Sequence, residues 1–496
     1  MHFKLTIRWI IFLNLASISF ISGCNPSEES SVADRVLSAP DQQDAPVTSS
    51  QANEPSTTNL SQDSPGQNSL PQEDEVKRNI KTSNSTNASG SSHQQIESEE
   101  ITSSAGETPS IEQLQDAVID SLEAGELDLA WNSIRVASRI DRDNFDTRYL
   151  KARVLAERNR FAEAVKQLDQ LAEEDPNVLL PVLGQTAEWL TYDGRWKAAE
   201  SRFRTLIDLA PEVGMAHRKL AELLIREGKR TEACKYFAAL CEVGNIEEVE
   251  LRQLLKISSA FRGTESTSEQ TPIGSLGMSQ LHFGEGKLED ALIAAQNSKT
   301  LSPEMDALTG RLHAMRGDQD QLAMWATRND EQSHPLPSFW FAKGVLAQMK
   351  NDHAQAINYF CRSVLLDPTD ADSYEHLSES LMADQQTESA KNAAIRAEQL
   401  RETHAIGQRF TSNEAREPEQ IARLCDLLEQ LQRPYESLAW RAVGIVYNHQ
   451  TSGLSDQEIT SQLRAINQQR TKLIESDSKL PTEDFILCGA KTATRE

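Results

Sequence analysis

The stretch FAEAVKQLDQLAEEDP, Phe161 to Pro176, decides the fold. Its plan returns as WKAAESRFRTLIDLAP at 196–211 and as HAQAINYFCRSVLLDP at 353–368. In each copy an alanine (Ala164, Ala199, Ala356) stands four residues before a large apolar residue (Leu168, Phe203, Phe360), and a proline follows eight residues later. Four residues is about one helical turn, so the small and the large side chain share one face of a helix that the proline then stops. Pro176 and Pro211 are 35 residues apart. A fixed spacing of that size is the signature of a stacked array in which each unit buries its apolar face against its neighbours.

A grid of about 34 residues extends the pattern in both directions. Small residues recur on the first helix of each unit at Ala152, Ala187, Ala221 and Gly344. Turn glycines stand at Gly125, Gly194, Gly228 and Gly286. Second-helix alanines stand at Ala130, Ala164, Ala199, Ala233, Ala291, Ala356 and Ala390, with Ile134, Leu168, Phe203, Phe237 or Phe360 one turn on. Two antiparallel helices pack closely only where a small residue lies at their contact, and glycine accepts the left-handed conformation that ends the first helix. These features resemble the tetratricopeptide repeat family. The resemblance implies an all-α helical-repeat solenoid whose first helices line a concave groove, and a role in protein–protein interaction.

The grid reads 111–144, 145–178, 180–213 and 214–247 as four consecutive units, an N-terminal array over 111–247. Residues 248–271 read as an irregular connector, and GTESTSEQTP (263–272), which overlaps its end, has no apolar period. A C-terminal array extends over 272–404: units at 272–305, 337–370 and 371–404, with a degenerate unit at 306–336 that lacks the alanine pattern. Residues 405–496 hold a further helical pair at 419–452, a polar helical cap at 455–478 and a loose final eighteen residues. The expectation is two superhelical lobes or one solenoid with a distorted middle.

The beginning of the chain has a different logic. Lys4 and Arg8 precede an apolar run from Trp9 to Ile21, then Ser22, Gly23 and Cys24. Residues 1–23 have the layout of an export signal, with an apolar core too short and poorly flanked for a good membrane span. Ile21-Ser22-Gly23-Cys24 resembles the bacterial lipobox, in which the cysteine thiol is acylated and the chain is cut before it. Cys24 is then the lipidation site, the alternatives being an uncleaved anchor or a plain signal with an incidental cysteine. Asn25 in place of aspartate favours the outer over the inner membrane. Residues 24–109 are Ser-, Thr-, Gln-, Asn- and Pro-rich without aromatics, a composition that leaves a chain disordered. As a tether it spans about 50 Å, at about 5–6 Å times the square root of its length. Asn84-Ser-Thr and Asn87-Ala-Ser match the glycosylation pattern by chance in such a segment.

A net charge of −25 argues against nucleic acid and against broad contact with anionic lipid. With Cys24 set aside, Cys234, Cys241, Cys361, Cys425 and Cys488 are an odd, scattered set and read as small buried hydrophobes rather than a disulfide framework. No HExxH, P-loop, GxSxG or paired CxxC is present, so no catalytic residue, cofactor or metal is expected. Asp367, Asp370 and Asp372 superficially suggest calcium, but the run lacks an EF-hand's glycine and distal glutamate and falls where a helix needs an N-cap. Trp196, Trp340 and Trp440 fall at helix-packing positions.

What remains is a binding surface. On this register Tyr149, Arg153, Arg218 and Arg226 face the groove of the N-terminal array, suited to a carboxylate or acidic peptide. Gly184 and Glu188 hold two groove positions, so the complete cationic clamp of carboxylate-binding family members is not formed. In the C-terminal array Phe341, Val345 and Met349 form an apolar stripe, open to a partner helix or covered by the chain itself. The expected function is a non-enzymatic, lipid-anchored envelope scaffold that binds protein or peptide partners in its groove. An accessory subunit of an enzyme or of a secretion or assembly complex is the second reading, and an enzyme the third.

Overall fold

The computed structural model describes residues 109–263, 271–298, 301–328, 335–411, 416–476 and 480–492. The signal at 1–23, Cys24, nearly all of the polar tether and both glycosylation patterns lie outside the described residues, as does most of 263–272. Among the described residues the chain is all helix, as the alanine pattern predicts. Four antiparallel pairs lead: α1 (Ile111–Glu123) with α2 (Leu127–Ile140), α3 (Phe145–Glu157) with α4 (Phe161–Glu174), α5 (Leu179–Tyr192) with α6 (Trp196–Leu209), and α7 (Gly214–Arg226) with α8 (Arg230–Val243). A short helix, α9 (Glu248–Leu255), comes next. Pairing resumes with α10 (Gly274–Gly284) and α11 (Leu288–Gln296), α12 (Pro303–Met315) and α13 (Gln319–Ala326), α14 (Pro337–Met349) and α15 (His353–Leu366), and α16 (Ala371–Ala383) and α17 (Thr387–Arg409). The chain continues with α18 (Pro418–Gln430), α19 (Pro434–Ser452), α20 (Asp456–Glu475) and the single turn α21 (Glu483–Ile486).

The packing has the predicted cause. Ala130, Ala164, Ala199, Ala233, Ala291, Ala356 and Ala390 are wholly buried, each where a second helix touches its first. Ile134, Leu168, Phe203, Phe237 and Phe360 are buried one turn on. The degenerate unit reverses the sizes. Leu322 takes the alanine's place, and Trp325, wholly buried, lies against Gly310, where a Cβ would come within 2.5 Å of the indole. Ser302 caps α12 by accepting from the Met305 N–H, so that unit starts at 303.

Three expectations need correction. Residues 248–271 are not irregular throughout, because α9 is helical and Glu250 to Leu255 are buried. The final residues are not loose where described: Ile486, Leu487 and Cys488 are buried in the core of α12–α17. The arrays are not separate lobes. One apolar core runs from Ala152 through Phe261 and takes in Ile406, Phe410, Leu424, Leu428 and Trp440, so the late helices return to the N-terminal array. A second runs from Ala307 to Leu400 and takes in Leu431. Residues 101–496 form one compact unit.

α9 and the segment after it are stitched to the C-terminal array and the helices beyond it, as buried non-helical backbone requires, and Arg230 of α8 donates to the Lys256 carbonyl at 3.4 Å. The Ile257 N–H donates to Thr369 Oγ1 at 3.0 Å and the Ser258 N–H to Asp367 Oδ2 at 3.1 Å. Gln408 both accepts from the Arg262 N–H and donates to its carbonyl, each at 3.0 Å. Arg433 donates to the Leu254 carbonyl at 2.7 Å and Arg252 to the Phe410 carbonyl.

Candidate functional site: the face of the first helices

Residues of the first helices α3, α5 and α7 lie near enough to interact: the α5 phenol Tyr192 feels Glu188 on its own helix, Glu157 on α3, and Lys219 and Glu222 on α7. Burial pushes its hydroxyl above the ordinary value and the carboxylates add to that. Glu188 is also pushed up by burial, with Lys219 opposing. Glu157 behaves likewise, with Arg153 opposing. Tyr149 packs against the core, and burial raises its hydroxyl while the Arg153 charge lowers it. Burial works to lower the Lys219 ammonium, but Glu222, 3.2 Å away, and Glu188 outweigh it. The face is therefore polar and of mixed charge, with Glu157, Glu188 and Lys219 half-buried and Tyr192 and Glu222 exposed.

Arg153 and Tyr149 belong to this face. Arg218 is spent elsewhere. Its guanidinium grips Glu250 of α9 with both Nε and Nη2 and donates to the Asn245 carbonyl at 3.1 Å. Burial pushes the Glu250 carboxyl up and the Arg218 bonds oppose it. Arg226 is also committed: it lies 5.0 Å from the Trp196 ring centroid and donates through Nε to the Thr271 carbonyl at 3.1 Å. Both arginines hold down the chain beyond α8, a stretch outside the register of the repeats. Glu157, Tyr192, Lys219 and Glu222, absent from the sequence-based set, lie one turn or less along the same helices from the residues it names. Extending each groove position by one turn finds them.

The apolar stripe in the C-terminal array is core. Phe341 and Val345 are 1% and 5% exposed, and Met349 is half-buried against the same cluster. The Phe341 ring is covered by the Arg311 guanidinium at 4.3 Å and by His376 at 5.4 Å. Arg311 rises from α12 and His376 from α16, so neighbouring first helices close the stripe. Among Trp196, Trp340 and Trp440, the last two are buried and Trp196 packs partly against the core.

The acidic run is an internal tie. Asp370 takes Arg311 in two bonds of 2.6 and 2.9 Å, and Asp372 takes the same guanidinium at 3.1 Å. Asp370 stands at the N-cap position of α16, but its carboxylate bonds Arg311 and the Ser373 hydroxyl, not a helix N–H. Asp367 accepts from the Ser258 N–H and from the Thr369 N–H and hydroxyl. Burial and the nearby Asp370 charge push Asp367 up, whereas Arg311 holds Asp370 down at about 2 against the opposing effect of burial. Among the described residues no group of three or more His, Cys, Asp or Glu side chains is placed to hold a metal, and no helix is long and apolar enough to cross a membrane. Two hollows lie away from this face, about 640 Å³ against α10 and α11 and about 590 Å³ between α8 and residues 335–338. Neither contains a residue that the sequence nominates.

Comparison with known proteins agrees with this architecture. Tetratricopeptide repeat profiles match residues 121–179, 190–244 and 337–370. The fold is a tetratricopeptide-type helical-repeat solenoid, and repeats of this kind are typically non-catalytic protein-interaction modules. Among solved structures, a tetratricopeptide repeat protein from Parabacteroides merdae is 16% identical, over 55% of this chain and 98% of that one, with a TM-score of 0.26. A chain of the APC/C hetero-tetramer Cut9-Hcn1 is 13% identical over 77% and 97%, with a TM-score of 0.24. No curated protein matches the chain.

Proposed function

We propose that this chain is a lipid-anchored scaffold of the bacterial envelope, exported, acylated at Cys24 and held by that lipid at the outer membrane. Its polar tether carries a repeat array that receives partner proteins on the face of α3, α5 and α7. The observation that carries the binding face is the convergence of Glu157, Glu188, Tyr192, Lys219 and Glu222 from three successive first helices. Of these, the half-buried Glu157, Glu188 and Lys219 gain most from a partner that completes their bonds. The leader that ends in Ser22-Gly23-Cys24 supports the anchor, since several acyl chains hold a membrane far more firmly than one.

The test pairs two readouts in a Gram-negative host. Incorporation of an alkyne-tagged fatty acid into the full chain, lost in Cys24→Ala, supports the anchor; unlabelled chain of full length overturns it. A photo-crosslinking residue at Tyr192 supports the face if it traps discrete envelope proteins and Glu188→Lys with Arg153→Glu abolishes the adducts. Adducts unchanged by that double reversal place the binding surface elsewhere. Arg218 is unsuited to such a test, because reversing it strands the buried Glu250.

A further inference from the structure

Residues 480–492 are held on the C-terminal array in an unusual way. Arg396 on α17 lies 3.7 Å from the Phe485 ring centroid and donates to the Phe485 carbonyl at 3.0 Å. The Tyr374 hydroxyl on α16 donates to the Ile486 carbonyl at 3.0 Å. The Ser389 hydroxyl donates to the Gly489 carbonyl at 2.9 Å. The Gln386 amide donates to the Lys491 carbonyl at 3.2 Å and accepts from its N–H at 2.9 Å. Ile486, Leu487 and Cys488 supply the buried apolar contact.

Helices of the array meet one another through interlocked side chains. Here side chains of the array read the backbone of a short segment, which is how peptides are recognised: main-chain bonds give affinity and a few pockets give selectivity. Leu377, Leu381, Ala393, Ala397 and Leu400 of the helices bearing these groups are at most 1% exposed and share one core with Ile486, Leu487 and Cys488; Ala390 also follows the packing pattern of the repeat itself.

We propose that Tyr374, Gln386, Ser389 and Arg396 form a peptide-binding seat, that residues 482–491 occupy it as an exchangeable ligand, and that its partner in trans is the same segment of a second copy. The seat fits a helical turn with an aromatic side chain for the guanidinium, then two medium apolar residues and a left-handed turn. Phe485, Ile486, Leu487 and the positive φ of Cys488 and Gly489 meet that requirement in this chain. Every copy carries both halves, so exchange closes a symmetric pair without new contacts. Its covalent connection to the same chain gives the segment an effective concentration on the order of mM, which keeps the seat filled in cis at low protein concentration.

The full chain is made with a protease recognition sequence in place of 477–479, folded, then cut. A fluorescent peptide of residues 480–492 is added in excess and the mixture is resolved by gel filtration. The expected result is label on the protein peak, with at least 10-fold less label on the uncut chain at the same peptide concentration. The same peptide carrying Phe485→Ala is expected to bind at least 10-fold more weakly, a comparison that leaves the protein unaltered. A cut segment that stays bound while no label enters makes it an integral part of the fold and overturns the proposal, as does equal uptake of both peptides. For the partner in trans, two differently tagged uncut chains are mixed at about 100 µM, where competition with the tether begins to be felt. Co-purification that excess free peptide abolishes supports exchange, and its absence overturns the second copy as the partner.

Discussion

A Cβ added at Gly344 would lie 2.5 Å from the Phe360 ring, as close as one at Gly310 would come to Trp325. Gly344→Ala forces that ring out of a packed core and is expected to lower stability by about 1–3 kcal/mol, read as a lower urea midpoint at unchanged slope. Gln385 gives the opposite sign. It is exposed and holds φ +65° in the turn between α16 and α17. Gly125 and Gly194 fill the same turn at φ +74° and +73°. Gln385→Gly relieves left-handed strain and is expected to raise stability by up to about 1 kcal/mol, seen as a higher thermal midpoint. At this scale the regular units were legible, since alanine and its large neighbour lie four residues apart in the chain. The unit at 303–326 was not, because Leu322, Trp325 and Gly310 solve the same packing problem with the sizes exchanged, and only the distance between the two helices reveals the match.

The elements most exposed to a change of charge are those around the segment after α9. Arg311 is buried between Asp370, Asp372 and the Phe341 ring. Arg311→Met leaves Asp370 charged and buried without its partner, a loss on the order of 3–5 kcal/mol, to be measured by denaturant unfolding at neutral pH. His404 on α17 gives a pH dependence with a definite sign. Burial, with Lys256 and Arg433 nearby, lowers its pKa to about 3 against the opposing pull of Asp370. The unfolded chain, with an ordinary value of about 6.5, binds the proton first. Stability is therefore full above that value and falls as pH drops toward 3, by about 2 kcal/mol at pH 5. His404→Gln is expected to remove that share of the loss between pH 7 and 5, and an unchanged pH profile sinks the assignment. None of this was readable beforehand. Asp370 looks like an N-cap and Arg218 like a groove cation until Arg311 and Glu250, 59 and 32 residues away, come into contact with them.

At the scale of the whole molecule the question is whether the two arrays stand as independent lobes. A solenoid propagates through neighbours, so an interruption after α8 would leave two bodies joined by a hinge. The chain avoids that by returning. Ile406, Phe410, Leu424, Leu428 and Trp440 lie in the core of the N-terminal array, while Leu431, between α18 and α19, lies in the core of the other. The segment at 257–262 bonds to Thr369, Asp367 and Gln408. A protease site placed within 264–270 and cut in the folded protein is expected to leave two fragments that elute together and unfold in one cooperative transition. Separation without denaturant would mean that the returning helices do not bind as the apolar core requires. The physical reason to expect one body is area. Five large apolar residues buried across the junction are worth about 1.5–3 kcal/mol each on transfer, and no chain entropy of a new linker opposes them once both fragments are folded.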